Sequence, residues 1–215
     1  LGEREILFPE IAALAVGALA APRQSWQTNR VRMVASIAVC ATGGVLIVRL
    51  VPWPLWGQML LAFAICQGMY LFSRTTFAPM ISAMVLPVLL GTTSWVYPIA
   101  AVVLTAGIAG LQFLFEKVGI REKLPFSPLP LPGRQDILDT LLRILCAGAV
   151  IFAAVLTGWR MCAAPPLLVA FTEFSRCGSR ARSTPLRTIF LVSLCGCCGA
   201  LCRWLVSAVA GLPLA

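Results

Sequence analysis

Apolar residues run along this chain in eight segments separated by short polar loops, at about 6–21, 33–52, 56–73, 77–91, 94–115, 138–158, 162–175 and 186–210. A helix needs about twenty apolar residues to cross a bilayer. The first, fourth and seventh segments are shorter, and each has proline near its start, where a helix tolerates a missing N–H: Pro9, Pro79, and Pro165 with Pro166. The pattern predicts an all-α polytopic membrane protein in which short helices led by proline alternate with long ones.

The composition also indicates a lipid environment. The chain has 215 residues, of which 60% are hydrophobic and only 12% charged, and its mean hydropathy is +0.92. A soluble domain is usually about half apolar and about a quarter charged, and a soluble fold of this size could not bury so much apolar surface. We therefore expect an integral membrane protein, located in a bacterial inner membrane and in contact with membrane lipids.

The basic residues predict an orientation. The net charge of +9 comes largely from short loops, which is the pattern of cytoplasmic loops that face anionic lipid. If all eight segments cross, the arginine-bearing loops 22–32, 74–76, 116–137 and 176–185 fall on one side, and the positive-inside rule places both termini outside. The alternative is that the short segments are re-entrant, which leaves five spans. The arginine-bearing loops would then no longer all fall on one side.

The segments form repeat-like units at 6–52, 56–115 and 138–210, within what we expect to be a single membrane domain, 1–215. The proline-rich loop 116–137 lies between the second and third units and is predicted to be cytoplasmic. Each of these two units has the order long, short, long, and they start on opposite sides of the membrane. That is the inverted repeat of many transporters and channels. The alternative is that apolar, proline-containing segments resemble one another by composition alone.

The sequence carries little that indicates metal or acid–base chemistry. Histidine is absent, which removes the commonest metal ligand and the commonest proton shuttle near neutral pH. Most of the nine cysteines lie inside apolar segments, where cysteine packs as a small hydrophobe. The run "CGCC" at 195–198 could suggest a metal site, but we favour helix packing because no second cysteine pair is nearby. We predict no cofactor, no metal and no enzymatic activity.

Ionisable residues inside apolar segments are costly and usually functional, and the chain has few: Glu10, Arg49, Arg143, Glu173 and Arg203. Arg49 and Arg203 occupy matched positions near the ends of two long helices. Their guanidinium groups could bind a planar anion, or they could extend to the outer headgroups as anchors. Glu10 follows Pro9 in a first turn, where a carboxylate could cap the helix at the outer interface or shape an entrance for the solute.

Further polar residues lie near the predicted membrane path. Glu173 is close to a basic loop, so an ion pair with Arg176 or Arg180 is the alternative to a role in substrate binding. Threonine and serine residues at or near the start of the fourth apolar segment could line the path of the solute. The candidate substrate-binding residues are Arg49, Arg203, Glu10, Glu173, Thr75, Thr76 and Ser82.

Several stretches resemble a known family. "CAAPPLLVAFTEFSRCGSRARSTPLRTIFLVSLCGCCGALCRWLV" (162–206) is similar to the opening of the HPP family of integral membrane proteins, in which a Pro-Pro-led apolar helix, a polar turn and a glycine-bearing helix follow in that order. Residues 7–51 show the same layout with "FPEIAAL", and "FAPMISAMVLPVLLG" (77–91) is similar to the family's proline-led second motif. The His-Pro-Pro signature itself is missing. Because that family includes plastid and cyanobacterial proteins associated with nitrite transport, the resemblance implies a small-anion transporter.

The sequence therefore predicts a membrane transporter or channel for a small solute, which the resemblance makes a small, nitrite-like anion. The alternative is a membrane subunit of a larger assembly, such as the substrate-binding component of an energy-coupled importer. A membrane enzyme acting on a lipid is the least favoured class, because such an enzyme needs a cluster of acids, histidine or metal ligands at the interface. The expected partners are lipids and the anionic solute and not nucleic acid, and a homo-oligomer is left open.

Overall fold

A computed structural model describes residues 10–20, 26–120 and 128–176, and seven of the residues between 186 and 197. The chain divides into two compact units, Leu1–Thr172 and Glu173–Ala215. In the described residues the regular structure is helical, and no strand occurs among them. The helices, in chain order, are α1 (Glu10–Ala15, continued by a π-helical turn at Val16–Ala20), α2 (Arg30–Leu50), α3 (Leu55–Phe72), α4 (Pro79–Leu90), α5 (Val96–Val118), α6 (Arg134–Leu156), a 3₁₀ turn at Arg160–Ala163, and α7 (Pro165–Ser175).

Four of these helices, α2, α3, α5 and α6, are long and apolar enough to span a membrane. This confirms the coarse prediction of an all-helical chain compatible with a membrane protein. The finer predictions, eight membrane segments and internal repeats, stay predictions, and the eighth predicted segment, 186–210, lies largely outside the described residues. As expected from the sequence, proline is the first residue of the two short helices α4 and α7.

The helices α5 and α6 extend further into the predicted loop 116–137 than the apolar pattern indicated. Lys117 lies in the last turn of α5 and Asp136 in the first turn of α6, and both charges oppose the partial charge of the helix end. The Asp136 carboxylate also accepts a hydrogen bond of 2.8 Å from the Gly133 backbone N–H, which is half of a capping box. Polar residues therefore lengthen both helices beyond their apolar parts.

Helix α4 lies at the centre of the first unit. All ten residues from Pro79 to Val88 are buried, α2 and α3 pack against the helix, and α1 also contacts it. The helix ends at Gly91, whose φ of +67° is the left-handed conformation that glycine adopts without a steric penalty. A short helix that is apolar on every side and covered by longer helices forms the core of a bundle.

The loops that carry basic residues meet at one end of the first unit. The N-terminal ends of α2, α4 and α6 and the C-terminal ends of α3 and α5 lie there, which follows from the antiparallel order of consecutive helices. The contacts that join them are Gln27 N to Thr76 Oγ1 at 2.7 Å, Arg32 to the Ser73 carbonyl at 3.0 Å, Arg30 to Glu116 at 3.3 Å, and Leu129 N to the Arg74 carbonyl at 3.2 Å. We call this the basic end.

Candidate functional site

Arg143 is an arginine in the interior of the membrane-length helix α6. Its side chain is buried, with 8% of the residue exposed. The sequence places it among leucine and isoleucine residues, Leu141, Leu142, Ile144 and Leu145. A charge at such a position costs at least about 2.5 kcal/mol on insertion scales, so it is retained where it has a partner or a function.

The hydrogen bonds of Arg143 connect three helices. Its NH1 donates to Gln67 Oε1 on α3 at 3.3 Å. Gln67 Nε2 donates to Thr172 Oγ1 on α7 at 2.8 Å, and the Thr172 hydroxyl donates to the Leu168 carbonyl at 2.9 Å. Because arginine can only donate, Gln67 must turn its oxygen toward Arg143 and its nitrogen toward Thr172. The amide of Gln67, which is fully buried, is therefore held in one orientation.

The positive charge of Arg143 is not neutralised by a carboxylate among the described residues. The ion pairs found there are Arg30 with Glu116 and Arg176 with Glu173. The Nε of Arg143 is buried and has no hydrogen-bond partner within that part of the chain. A guanidinium carries five N–H donors in a planar fork, which suits an anion with oxygen atoms in one plane. Arg143 thus combines a buried positive charge with an unused donor.

Glu116, near the end of α5, is a buried charge that has an oppositely charged partner. Only 8% of its side chain is exposed, and Arg30 pairs with it at 3.3 Å. Gln112 Nε2 donates to its other oxygen at 3.0 Å, and the Arg30 guanidinium lies 4.9 Å from the centre of the Phe113 ring. Glu116 therefore has both oxygens occupied and its charge balanced, in contrast to Arg143.

Arg49, the first of the predicted anion-binding arginines, lies at the opposite end of the first unit. Its side chain is exposed, and its Nε donates to the Thr93 carbonyl at 2.8 Å. The guanidinium also lies 5.0 Å from the centre of the Trp95 ring. These contacts favour the interfacial-anchor alternative, and a role for Arg49 in substrate binding stays a prediction. Arg203, its counterpart in the sequence, lies outside the described residues.

The two predicted carboxylates are placed in different units. Glu10 is the first described residue and begins α1. Glu173 lies in the second unit, where its Oε2 forms an ion pair with Arg176 at 3.3 Å. That pair is the alternative that the sequence left open for Glu173. Substrate binding by either carboxylate stays a prediction.

The predicted hydroxyl residues, Thr75, Thr76 and Ser82, are all buried. Thr76 Oγ1 accepts from Gln27 N, and the hydroxyls of Thr75 and Ser73 share a hydrogen bond of 3.0 Å. The Ser82 hydroxyl, inside α4, has no partner among the described residues. Thr76 therefore joins two loops at the basic end and Thr75 bonds within its own loop, while Ser82 is the one of the three whose hydroxyl could serve another group.

An apolar groove lies along the first half of α3. It has a volume of about 590 Å³ and is lined by residues at the start of α3 and by Ile144 of α6, with Trp53, Trp56 and Leu60 among them. The Trp56 ring packs edge-on against Phe152 with ring centres 5.3 Å apart. Because its lining is apolar, this groove does not suit an anion, and the polar cluster around Arg143 is the better candidate site.

Gln67 and Thr172 were not among the residues that the sequence singled out. Each is a polar residue inside an apolar helix, and that was the available signal. Arg143 was recognised as an ionisable residue in an apolar segment, but its neighbours were not, because 76 positions separate it from Gln67 and 105 separate Gln67 from Thr172. Contacts at such separations depend on how the helices pack.

The fold and this cluster define the class only broadly, as an all-helical chain with membrane-length helices and a buried cation between them. Comparisons with protein-family models, with curated proteins and with solved structures found no match to the chain. The resemblance to the HPP family accordingly stands on the quoted stretches alone. The function has to be inferred from the residues themselves.

Proposed function

We propose that this protein moves a small anion across a membrane, as a transporter or channel. The observation that carries the proposal is Arg143, a buried cation in a membrane-length helix whose Nε has no partner in the described chain. Intramembrane ionisable residues commonly mark the path of an ion or substrate. An anion at this point would neutralise the guanidinium and complete its hydrogen bonds.

The order of the helices supports a transport architecture. Long α3, short α4 and long α5 follow one another, and the order long, then short, begins again with α6 and α7. We propose that these are the two halves of an inverted repeat within eight membrane segments, with both termini outside. In such folds the substrate lies near the midplane, between the halves. Gln67 lies on α3 in one proposed half and Arg143 lies on α6 in the other, so a substrate bound at this pair would lie between the halves.

The resemblance to the HPP family supports a nitrite-like substrate. Nitrite is a small planar anion, and a guanidinium fork can donate two parallel hydrogen bonds to its two oxygens. The sequence contains no glycine-rich nucleotide loop. Transport by this chain would therefore be driven by the gradient of the solute or of a coupled ion.

Reconstitution of the purified chain into liposomes tests the proposal. Nitrite efflux is measured at a clamped membrane potential for the parent, Arg143→Gln and Arg143→Lys. A charge-assisted hydrogen bond is worth about 1.5–3 kcal/mol, so Arg143→Gln should lower the flux about tenfold or more. Arg143→Lys should retain part of the flux, because lysine keeps the charge but loses the planar fork.

Arg49→Gln is the matched control, since Arg49 is an exposed arginine on a helix of the same unit. It should change flux little if Arg49 is an anchor. All variants must elute as monodisperse protein before their fluxes are compared. If folded Arg143→Gln protein shows the flux of the parent, Arg143 is not the anion site. If the parent protein moves no anion by itself, the chain is better explained as a subunit of a larger assembly.

A further inference from the structure

Four sulfur-bearing side chains converge where α2, α3 and α4 pack together. Cys40 lies on α2, Cys66 and Met69 on α3, and Met84 on α4. Cys66 Sγ is 3.6 Å from Met84 Sδ, and Cys40 Sγ is 3.9 Å from Met69 Sδ. Cys66 and Met69 are three residues apart on α3, so they lie on one face of that helix. We call these four residues the sulfur cluster.

The sulfur cluster is deep inside the first unit. Cys40 and Cys66 are fully buried, and Met84 is 2% exposed. Cys40 lies midway along α2, about 15 Å from either end at 1.5 Å per residue. The two cysteines are free thiols. Residues from three helices thus place two thiols and two thioethers in the interior of the first unit.

Two of the distances between the sulfur atoms are close to those around a metal ion. A tetrahedral site with metal–sulfur bonds of about 2.3 Å places neighbouring sulfur atoms about 3.8 Å apart. The contact of Cys66 with Met84 at 3.6 Å and that of Cys40 with Met69 at 3.9 Å lie on either side of that value. At these two contacts the sulfur atoms are already about as close as a shared metal ion would hold them.

The chemistry of the donors selects the metal. Thiolate and thioether sulfur are soft ligands, which favour Cu(I) over harder divalent ions. Charge favours the same ion, because one thiolate neutralises Cu⁺ and leaves no net charge in the apolar interior, where a charge is costly. No three cysteine or acidic residues gather in the part of the chain described here, so the methionines are needed to complete the ligand set.

We propose that Cys40, Cys66, Met69 and Met84 form a Cu(I)-binding site, separate from the anion site and going beyond the proposed transport function. On binding, one cysteine thiol releases its proton to solvent and its sulfur coordinates the copper, while the second thiol and the two thioethers complete the coordination. Copper enters and remains as Cu(I), so no electron is transferred. The site was not expected from the sequence, in which the four residues look like ordinary apolar positions.

The test uses the full chain, purified in detergent under reducing conditions and titrated anaerobically with Cu(I) against a chromogenic Cu(I) chelator. Cys40→Ala and Cys66→Ala should each lose roughly one Cu(I) per chain relative to the parent. The double variant Met69→Leu with Met84→Leu preserves core volume, so it should fold, and its copper affinity should fall about tenfold or more.

Matched controls separate this site from the other cysteines. Cys146→Ala removes an exposed cysteine of α6, and Met59→Leu changes a fully buried methionine of α3 outside the cluster. Both variants should bind copper like the parent. Arg143→Gln should also bind copper like the parent, so a failure of the proposed copper site can be distinguished from a failure of the proposed anion site. The proposal is overturned if folded Cys66→Ala protein, or the double methionine variant, binds Cu(I) with the parental stoichiometry and affinity.

Discussion

Gly44 lies on α2 where that helix packs against α4. A Cβ atom at this position would collide with the backbone carbonyl oxygen of Met84 and with the ring of Pro87. A backbone atom cannot move aside as a flexible side chain can. Small residues allow close helix approach in membrane proteins, so the absence of a side chain at Gly44 sets the distance between α2 and the central helix.

Gly44→Ala should therefore destabilise the protein by about 1–3 kcal/mol, the usual cost of overpacking a core. The measurement is the thermal unfolding midpoint in detergent. Gly107→Ala is the matched control, because Gly107 lies inside α5 and a Cβ there meets no atom within 4 Å. It should be neutral, or stabilising by up to about 1 kcal/mol from helix propensity. Equal midpoints for both variants would contradict the close contact.

At the scale of a single element, α4 contains a proline in its interior that removes one of its own hydrogen bonds. Pro87 has no N–H, so the carbonyl of Ala83, four residues earlier, lacks its usual helical donor. The Tyr97 hydroxyl on α5 donates to that carbonyl at 3.0 Å. The hydroxyl thus replaces the hydrogen bond that the proline removed, in a part of the core where an unsatisfied carbonyl is costly.

A double-mutant cycle tests this replacement. Tyr97→Phe should cost about 0.6–2 kcal/mol in the parent, because it leaves the Ala83 carbonyl without a donor. In a Pro87→Ala background the helix supplies its own N–H, so the same change should cost less. The cycle cancels the packing effect of each single change. If Tyr97→Phe costs the same in both backgrounds, the hydroxyl does not compensate for Pro87.

The sequence predicted the elements better than their contacts. The positions of α4 and the four long helices follow from apolar runs bounded by proline, glycine and charge, which are local signals. The ends of α5 and α6 were missed because Lys117 and Asp136 are polar yet helical. The neighbours of Arg143 were missed because they depend on helices far apart in the chain. The resemblance between the proposed repeats gave no register for α3 against α6, so it did not bring Gln67 beside Arg143.

For the whole molecule, charge and aromatic residues separate the two ends of the first unit. The basic end holds Arg30, Arg32, Arg74, Lys117 and Arg134, all at or next to helix ends. The opposite end holds Arg49 and Arg160 together with the exposed tryptophans Trp53, Trp95 and Trp159. Tryptophan is typical of membrane interfaces, and an excess of arginine and lysine is typical of cytoplasmic loops. We therefore expect the basic end to face the cytoplasm.

Labelling of intact cells with a membrane-impermeant maleimide tests this orientation. The background is Cys162→Ser, because Cys162 is an exposed cysteine at the opposite end. Cysteines introduced at 54 and 93, in the loops before α3 and α5, should react from outside. A cysteine at 128, which precedes the backbone contact of Leu129 with Arg74 at the basic end, should react only after the cells are permeabilised. The expectation rests on one physical cause: arginine-rich loops resist translocation, so the end that carries them stays on the side of synthesis. Reaction of position 128 in intact cells, with positions 54 and 93 protected, would invert the topology and with it the sides from which an anion reaches Arg143.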